Sequence, residues 1–267
     1  MQATGNNNAR LTLRISPRSL AFSAVDRTAE QQVVYEPYDV KPGISMAANL
    51  RQALEECSLP QQGYTRLRLY LDAPVLTVPA EEFHEEDAEA LYRHTFTGHN
   101  SDAILFRPQP SLGMVAVFPV NRDLKAVVED RFEEVRFTPV MQTVWNYLHQ
   151  RSLVGLRSKL YCYFRDRKMD VFAFQKNRLK FSNSFDVQHA KDALYFLLYV
   201  WKQLGMDQQQ DELHIIGEVP EREWFLHSIR LYIRKTVVLN PTAEFNRAPL
   251  TTIPHLPFDL MTLYLGR

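Results

Sequence analysis

The sequence predicts an α/β protein of two tandem halves, each a mixed five-stranded sheet flanked by helices. Three observations carry this. Each half opens with three short runs that alternate apolar and polar side chains. Each trio is followed by a segment with apolar residues at helical spacing. The order strand–strand–strand–helix–strand–helix–strand–helix then reads twice along 267 residues.

In the first half, Leu11 to Ile15, Leu20 to Val25 and Gln32 to Tyr35 read as strands with one buried face. Pro42-Gly43 breaks the chain, and Ser45 can cap a helix carrying Met46, Leu50, Ala53, Leu54 and Cys57 on one stripe. Tyr64 to Leu71 is a strand with Leu67, Leu69 and Leu71 on one face. The acidic stretch Glu81, Glu82, Glu85, Glu86, Asp87 and Glu89 reads as a helix whose front end suits a positive dipole end. Ala103 to Phe106 and Gly113 to Phe118 are strands. Asn121 can cap a helix with Leu124, Val127 and Val128, and Val135 to Phe137 is a short strand. Pro139 reads as the first residue of the next helix, where its missing donor costs nothing.

The second half repeats the pattern. Lys159 to Phe164, Asp170 to Phe174 and Leu179 to Ser182 are strands joined by tight polar turns. Asp186 can cap a helix with Ala190, Ala193, Leu194, Leu197, Leu198 and Trp201, which Gly205 ends. Leu213 to Ile216, Glu221 to Ile233, Thr236 to Leu239 and Phe258 to Leu265 complete the order as strand, helix, strand and helix. Local words support a duplication. Tyr38-Asp39-Val40 answers Phe185-Asp186-Val187, and Val78-Pro79 answers Val219-Pro220. The first half then carries an insertion after Pro79; pairing Val117 with Val219 instead would move it earlier. The expected lobes are residues 1–152, with an insertion around 80–120, and 153–267.

Lys+Arg and Asp+Glu both count 31, so no net field draws the chain to nucleic acid or an anionic membrane. The N-terminal residues lack the apolar core of a signal peptide, and no run is long enough to span a bilayer. The cytoplasm is the expected location. Cys57 and Cys162 read as small buried hydrophobes, without the basic surroundings of a nucleophile.

Three antiparallel strands feeding parallel strands through crossover helices make a ribonuclease-H-like unit. Two such units in tandem resemble the actin-like ATPase superfamily of sugar kinases, heat-shock chaperones and bacterial cell-division filaments. From Leu11-Thr12-Leu13 to Phe258-Asp259-Leu260-Met261, the chain is also similar to an uncharacterised bacterial family with that fold. The resemblance implies a nucleotide between the halves, gripped by hairpin turns bearing Gly and a metal-holding Asp, with a Gly-rich turn for the adenosine. Here the first turn, Arg14-Ile15-Ser16-Pro17-Arg18-Ser19, has neither Asp nor Gly. The second, Phe164-Arg165-Asp166-Arg167-Lys168, has Asp166 but no Gly, and Gly217 stands alone. No catalytic, cofactor or metal residue therefore carries over.

The turns are basic instead. Arg14, Arg18, Arg165, Arg167 and Lys168 could bind an anion, since guanidinium forks suit phosphate or carboxylate. Solvated turns are the plainer reading. His84, His94 and His99 fit no compact zinc spacing. Asp39 and Asp186 end third strands, where ribonuclease-type folds can place metal ligands. Tyr195, Phe196, Tyr199 and Trp201 crowd one helix that is apolar almost all round, which points to core or to a partner contact. The expected function is a non-catalytic interaction or scaffold module with a protein partner, no cofactor, no nucleic acid and no membrane insertion. The alternatives are an enzyme or sensor that binds an anionic small molecule or nucleotide between the lobes, and a docking partner of a larger assembly.

Overall fold

The computed structural model describes residues 10–155 and 157–266. These pack as two units. The first takes the chain up to Pro108, Val115–Gln142 and Ala248–Leu256. The second takes Gln109–Met114, Thr143–Arg247 and the chain from Pro257.

In the first unit, β1 (Arg10–Ile15) and β2 (Ser19–Val25) form a hairpin, and β3 (Val33–Asp39) extends it. Helix α1 (Met46–Glu56) starts where Ser45 Oγ accepts the Ala48 amide at 3.1 Å. It leads to β4 (Arg66–Leu71), which pairs parallel with β1. Next come β5 (Leu76–Pro79), α2 (Ala88–Thr95), β6 (Ala103–Gln109) and β7 (Met114–Val120). These three strands make a separate sheet in the order β5-β7-β6. Helix α3 (Arg122–Arg131), capped by Asn121, leads to β8 (Glu134–Pro139), and α4 (Met141–Ser152), which follows, belongs from Thr143 to the second unit. The main sheet runs β3-β2-β1-β4-β8. Its core face sets Leu11, Leu13, Phe22, Leu67 and Leu69 among Leu50, Ala53, Leu124 and Val128 of α1 and α3.

The second unit has the same strand order. β9 (Lys159–Arg165), β10 (Lys168–Gln175) and β11 (Arg178–Asp186) are followed by α5 (Ala190–Gln203) and β12 (Glu212–Gly217). Then come α6 (Arg222–Arg230), β13 (Lys235–Val238), α7 (Pro241–Glu244) and α8 (Phe258–Leu265). The sheet reads β11-β10-β9-β12-β13. Leu160, Cys162, Val171, Leu213 and Ile215 pack with Leu197, Trp201, Phe225 and Ile229.

Three local expectations are corrected. Pro139 does not open a helix; it ends β8, an edge strand, where a residue without N–H leaves no ladder bond unmade. Asp186 is not a cap but the last residue of β11, opposite Lys168. The start of α5 is held instead by Asp192, which accepts the His189 amide at 3.4 Å. The acidic stretch is not one helix. Ala80–Glu82 and Glu85–Asp87 are single 3₁₀ turns, and the α-helix begins at Ala88. Only from there do apolar residues recur at helical spacing, with Ala88 and Tyr92 buried one turn apart. The sequence reading also lacked β5 as a strand. That strand is four residues long and pairs with β7.

Candidate functional site

The two hairpin turns that the resemblance makes important are short. Between β1 and β2 only Pro17 and Arg18 lie free. Ser16 and Ser19 close the turn through a main-chain bond of 2.9 Å and an Oγ–Oγ contact of 3.0 Å. Between β9 and β10 lie Asp166 and Arg167, with φ of 46° and 63°. Two positive φ angles mark the mirror-type turn that fits the twist of a hairpin. Asp and Arg hold here a conformation in which glycine is cheaper. Each turn is fastened to the chain after the third strand: Val40 N–H donates to Arg18 O at 3.4 Å, and Val187 N–H donates to Arg167 O at 2.8 Å. A two-residue turn without glycine offers few bare amides to an anion, and Pro17 removes one more.

The five basic residues of these turns divide by burial. Arg14 is buried on β1, and Arg165 is buried at the end of β9, where its Nη2 lies 2.9 Å from Asp170 Oδ2. Arg165 also sits over the Tyr163 ring at 5.8 Å. A buried guanidinium beside a buried carboxylate holds the hairpin together. Arg18 and Arg167 are exposed, and Lys168 is half-buried. Asp39 and Asp186 do end their third strands, opposite Ser19 and Lys168.

Gly217 has a packing role. It pairs with Phe164 across β12 and β9 at φ 87°, and a Cβ there would stand 2.0 Å from the Phe164 carbonyl oxygen. Close approach of backbone requires glycine.

The histidines of the acidic region do not converge. His84 and His94 are exposed, while His99 Nδ1 contacts Asp102 Oδ2 at 2.8 Å. Among the described residues, no group of three or more His, Cys, Asp or Glu side chains could hold a metal. Both cysteines are free and buried. Burial, aided by Glu36 and Glu56, pushes the Cys57 thiol up to about 11, and burial alone raises that of Cys162. Neither is a thiolate at neutral pH.

The aromatic helix α5 splits into two faces. Trp201 is buried, and Phe196 stacks on Phe185 at 4.7 Å. Tyr195 and Tyr199, one turn apart, are 66% and 53% exposed and stack on each other at 6.4 Å. Lys191 and Lys202 lie exposed along the same helix. On or just after α6, Trp224, Leu231 and Tyr232 are exposed too. Sequence reasoning singled out the aromatics of α5 but missed these three. Leu231 and Tyr232 lie past the last turn of α6, where helical periodicity no longer sorts faces.

A family model described as "Protein of unknown function (DUF3822)" matches residues 1–236, and the chain belongs to that family. No curated protein matches the chain. A solved structure from Bacteroides thetaiotaomicron, a protein with actin-like ATPase fold and unknown function, is 24% identical. It superposes with a TM-score of 0.81 over 92% of this chain and 96% of that one. A chain of the PilM–PilN type IV pilus biogenesis complex is 12% identical, with a TM-score of 0.57 over 96% of this chain and 97% of that one. These likenesses establish the fold: this is an actin-like ATPase fold with mixed sheets flanked by helices. No helix among the described residues is long and apolar enough to cross a membrane.

Proposed function

We propose that this chain is a nucleotide-independent, cytoplasmic interaction module that binds a protein partner through the exposed face of α5 and the end of α6. The observation that carries the reading is the stacked, solvent-facing pair Tyr195 and Tyr199. Exposed tyrosine and tryptophan bring large contact area at low entropic cost, and such side chains dominate binding energy at interfaces. The tight, glycine-free turns support the absence of nucleotide chemistry. A structural neighbour found in the PilM–PilN type IV pilus biogenesis complex supports partner binding by analogy of fold. We further read the chain as an internal duplication, with lobes at 1–152 and 153–267 and the three-stranded sheet inserted in the first. The matched strand order of the two main sheets supports this.

Site-specific photocrosslinking from position 195, in extract of the native organism, tests the partner. One discrete crosslinked protein is expected, and Tyr199→Ser should abolish it. A smear, or a product indifferent to Tyr199→Ser, overturns the reading. Calorimetry with ATP and magnesium should show no affinity beyond that for pyrophosphate, and micromolar affinity for ATP over pyrophosphate would overturn nucleotide independence.

The second reading, an anion held by the basic turns, rests on Arg18 and Arg167. Both are exposed, and no carboxylate pairs with either among the described residues. Arg14, Arg165 and Lys168 would complete that set. Phosphate-bearing ligands that leave the melting temperature unchanged would end it.

A further inference from the structure

The face of the first main sheet that turns away from its leucine core carries several arginines among Thr12, Tyr70 and Thr138. In β1, β4 and β8, Leu11, Leu13, Leu67, Leu69 and Phe137 point into the core. The alternate positions therefore share the opposite face. Across that face the parallel register sets Arg10 beside Arg66 beside Glu134, and Thr12 beside Arg68 beside Arg136. The first row neutralises itself in part: Glu134 meets Arg10 at 3.1 Å and Arg66 at 3.2 Å. The second row has no acid. Arg68 and Arg136 occupy directly paired positions on neighbouring strands, about 5 Å apart.

A third guanidinium joins them from a different strand. Arg107 of β6 donates through Nε to the carbonyl oxygen of Phe137, the residue after Arg136, at 2.9 Å. Its terminal nitrogens make no hydrogen bond among the described residues. Nor does any hydrogen bond or carboxylate engage the guanidinium of Arg68 or Arg136 among those residues. Burial and then the charge of Arg136 hold the Arg107 guanidinium below its ordinary range. Arg136 is exposed while Arg68 and Arg107 are half-buried, so the group is open to solvent on one side. Like charges directly opposite one another on a sheet are destabilising. Two residues along the same strands, the chain spends a glutamate on this problem; here it spends none.

We propose that Arg68, Arg107 and Arg136 form a binding site for the doubly charged phosphoryl group of a small phosphate compound. Two strands about 5 Å apart can present two guanidinium forks to one tetrahedral anion, and the third closes its flank. A phosphoryl dianion offers three oxygens and two charges to three cations. A carboxylate offers two oxygens and one charge. The site shares no residue with the basic turns or with the aromatic face of α5, so its failure leaves those readings untouched.

Titration calorimetry of the full chain with inorganic phosphate and with pyrophosphate tests it, beside a glutamate-rich peptide. Wild type should bind pyrophosphate in preference to the peptide. Arg68→Gln and Arg136→Gln should each weaken that binding about tenfold or more, since hydrogen bonds to charged groups are the strong ones. Arg136→Lys should retain part of it, and Arg18→Gln and Arg167→Gln should retain all of it. Without ligand, Arg136→Gln should raise the melting temperature, because it relieves repulsion. The proposal is overturned if wild type ignores phosphate and pyrophosphate. Preference for the peptide, loss of binding in the turn variants instead, or a lower melting temperature for unliganded Arg136→Gln would overturn it too.

Discussion

The two main sheets have the same strand order, yet their second faces are opposites in chemistry. Where the first sheet sets Thr12, Arg68 and Arg136 in a row, the second sets Tyr161, His214 and Val237. Tyr161 stacks on Phe172 at 5.5 Å and meets the rings of Phe174 and His214, while His149 of α4 covers Phe174 at 5.2 Å. At this row one face is closed by rings, while the other keeps two arginines. Strand order fixes which positions are neighbours, and side-chain chemistry alone decides whether those neighbours make a core or a charged surface.

The largest test of this contrast is at the buried ion pair of the second sheet. Asp170 stands beside β9 as Ala21 stands beside β1. Asp170→Ala should cost about 3–5 kcal/mol in urea unfolding, because Arg165 would remain buried without its carboxylate. A cost below about 1 kcal/mol would mean that the hairpin does not depend on the pair.

The next test compares Gly217, opposite Phe164, with Leu71, opposite Ile15. Gly217→Ala should destabilise by about 3 kcal/mol through steric overlap with the Phe164 carbonyl and strain at positive φ. Leu71→Ala should cost about 2 kcal/mol through the cavity it leaves. Equal tolerance of both changes would show that the two sheets close at these ends by the same packing.

The aromatic face also predicts a pH response that the arginine face lacks. Burial holds the His214 imidazole below its ordinary pKa, although Glu212, 3.1 Å away, works the other way. Burial opposes ionised Glu212 as well. Hydrogen bonds from His214 and Arg157 outweigh it and keep that carboxyl below its ordinary value. An unfolded chain then binds protons more readily than the folded one. Stability is full above the ordinary histidine pKa and falls as pH drops through it. Melting temperatures measured from pH 8 to pH 5 should decline, and the decline should flatten in His214→Gln. An unchanged slope would place the response elsewhere. Smallest of all, Tyr195→Ser with Tyr199→Ser should shift stability by no more than about 0.5 kcal/mol, since both side chains are exposed. A larger loss would make the two tyrosines part of the packing and remove that face of α5 as a docking surface.

Much of the fold was legible in the chain itself. The alternation in Leu11 to Ile15 and Lys159 to Phe164 marked strands with one dry face. Ser45 and Asn121 marked helix starts that the structure keeps. The helix from Phe258 to Leu265 was read with its bounds. The misreadings fell where two local signals compete. Pro139 suits either a helix start or the end of an edge strand, and only the pairing of β8 with β4 chooses between them. Asp186 can cap a helix or end a strand, and its place opposite Lys168 decides. The hairpin turns were read as lacking glycine, and the positive φ of Asp166 and Arg167 shows what that lack demands of the backbone.

By itself the sequence determined the order of elements in the two main sheets, the inward face of strands such as Leu67 to Leu71 and the missing glycines of the turns, because these follow from local periodicity and residue type. It also put Arg66 and Arg68 opposite the leucines of their strand. Tertiary structure alone decided that Arg68 stands beside Arg136, and that Arg107 reaches the same edge from the separate three-stranded sheet. The reason is geometric: a period of two names the face of a strand, while its neighbours across the sheet are set by pairing between segments far apart in the chain.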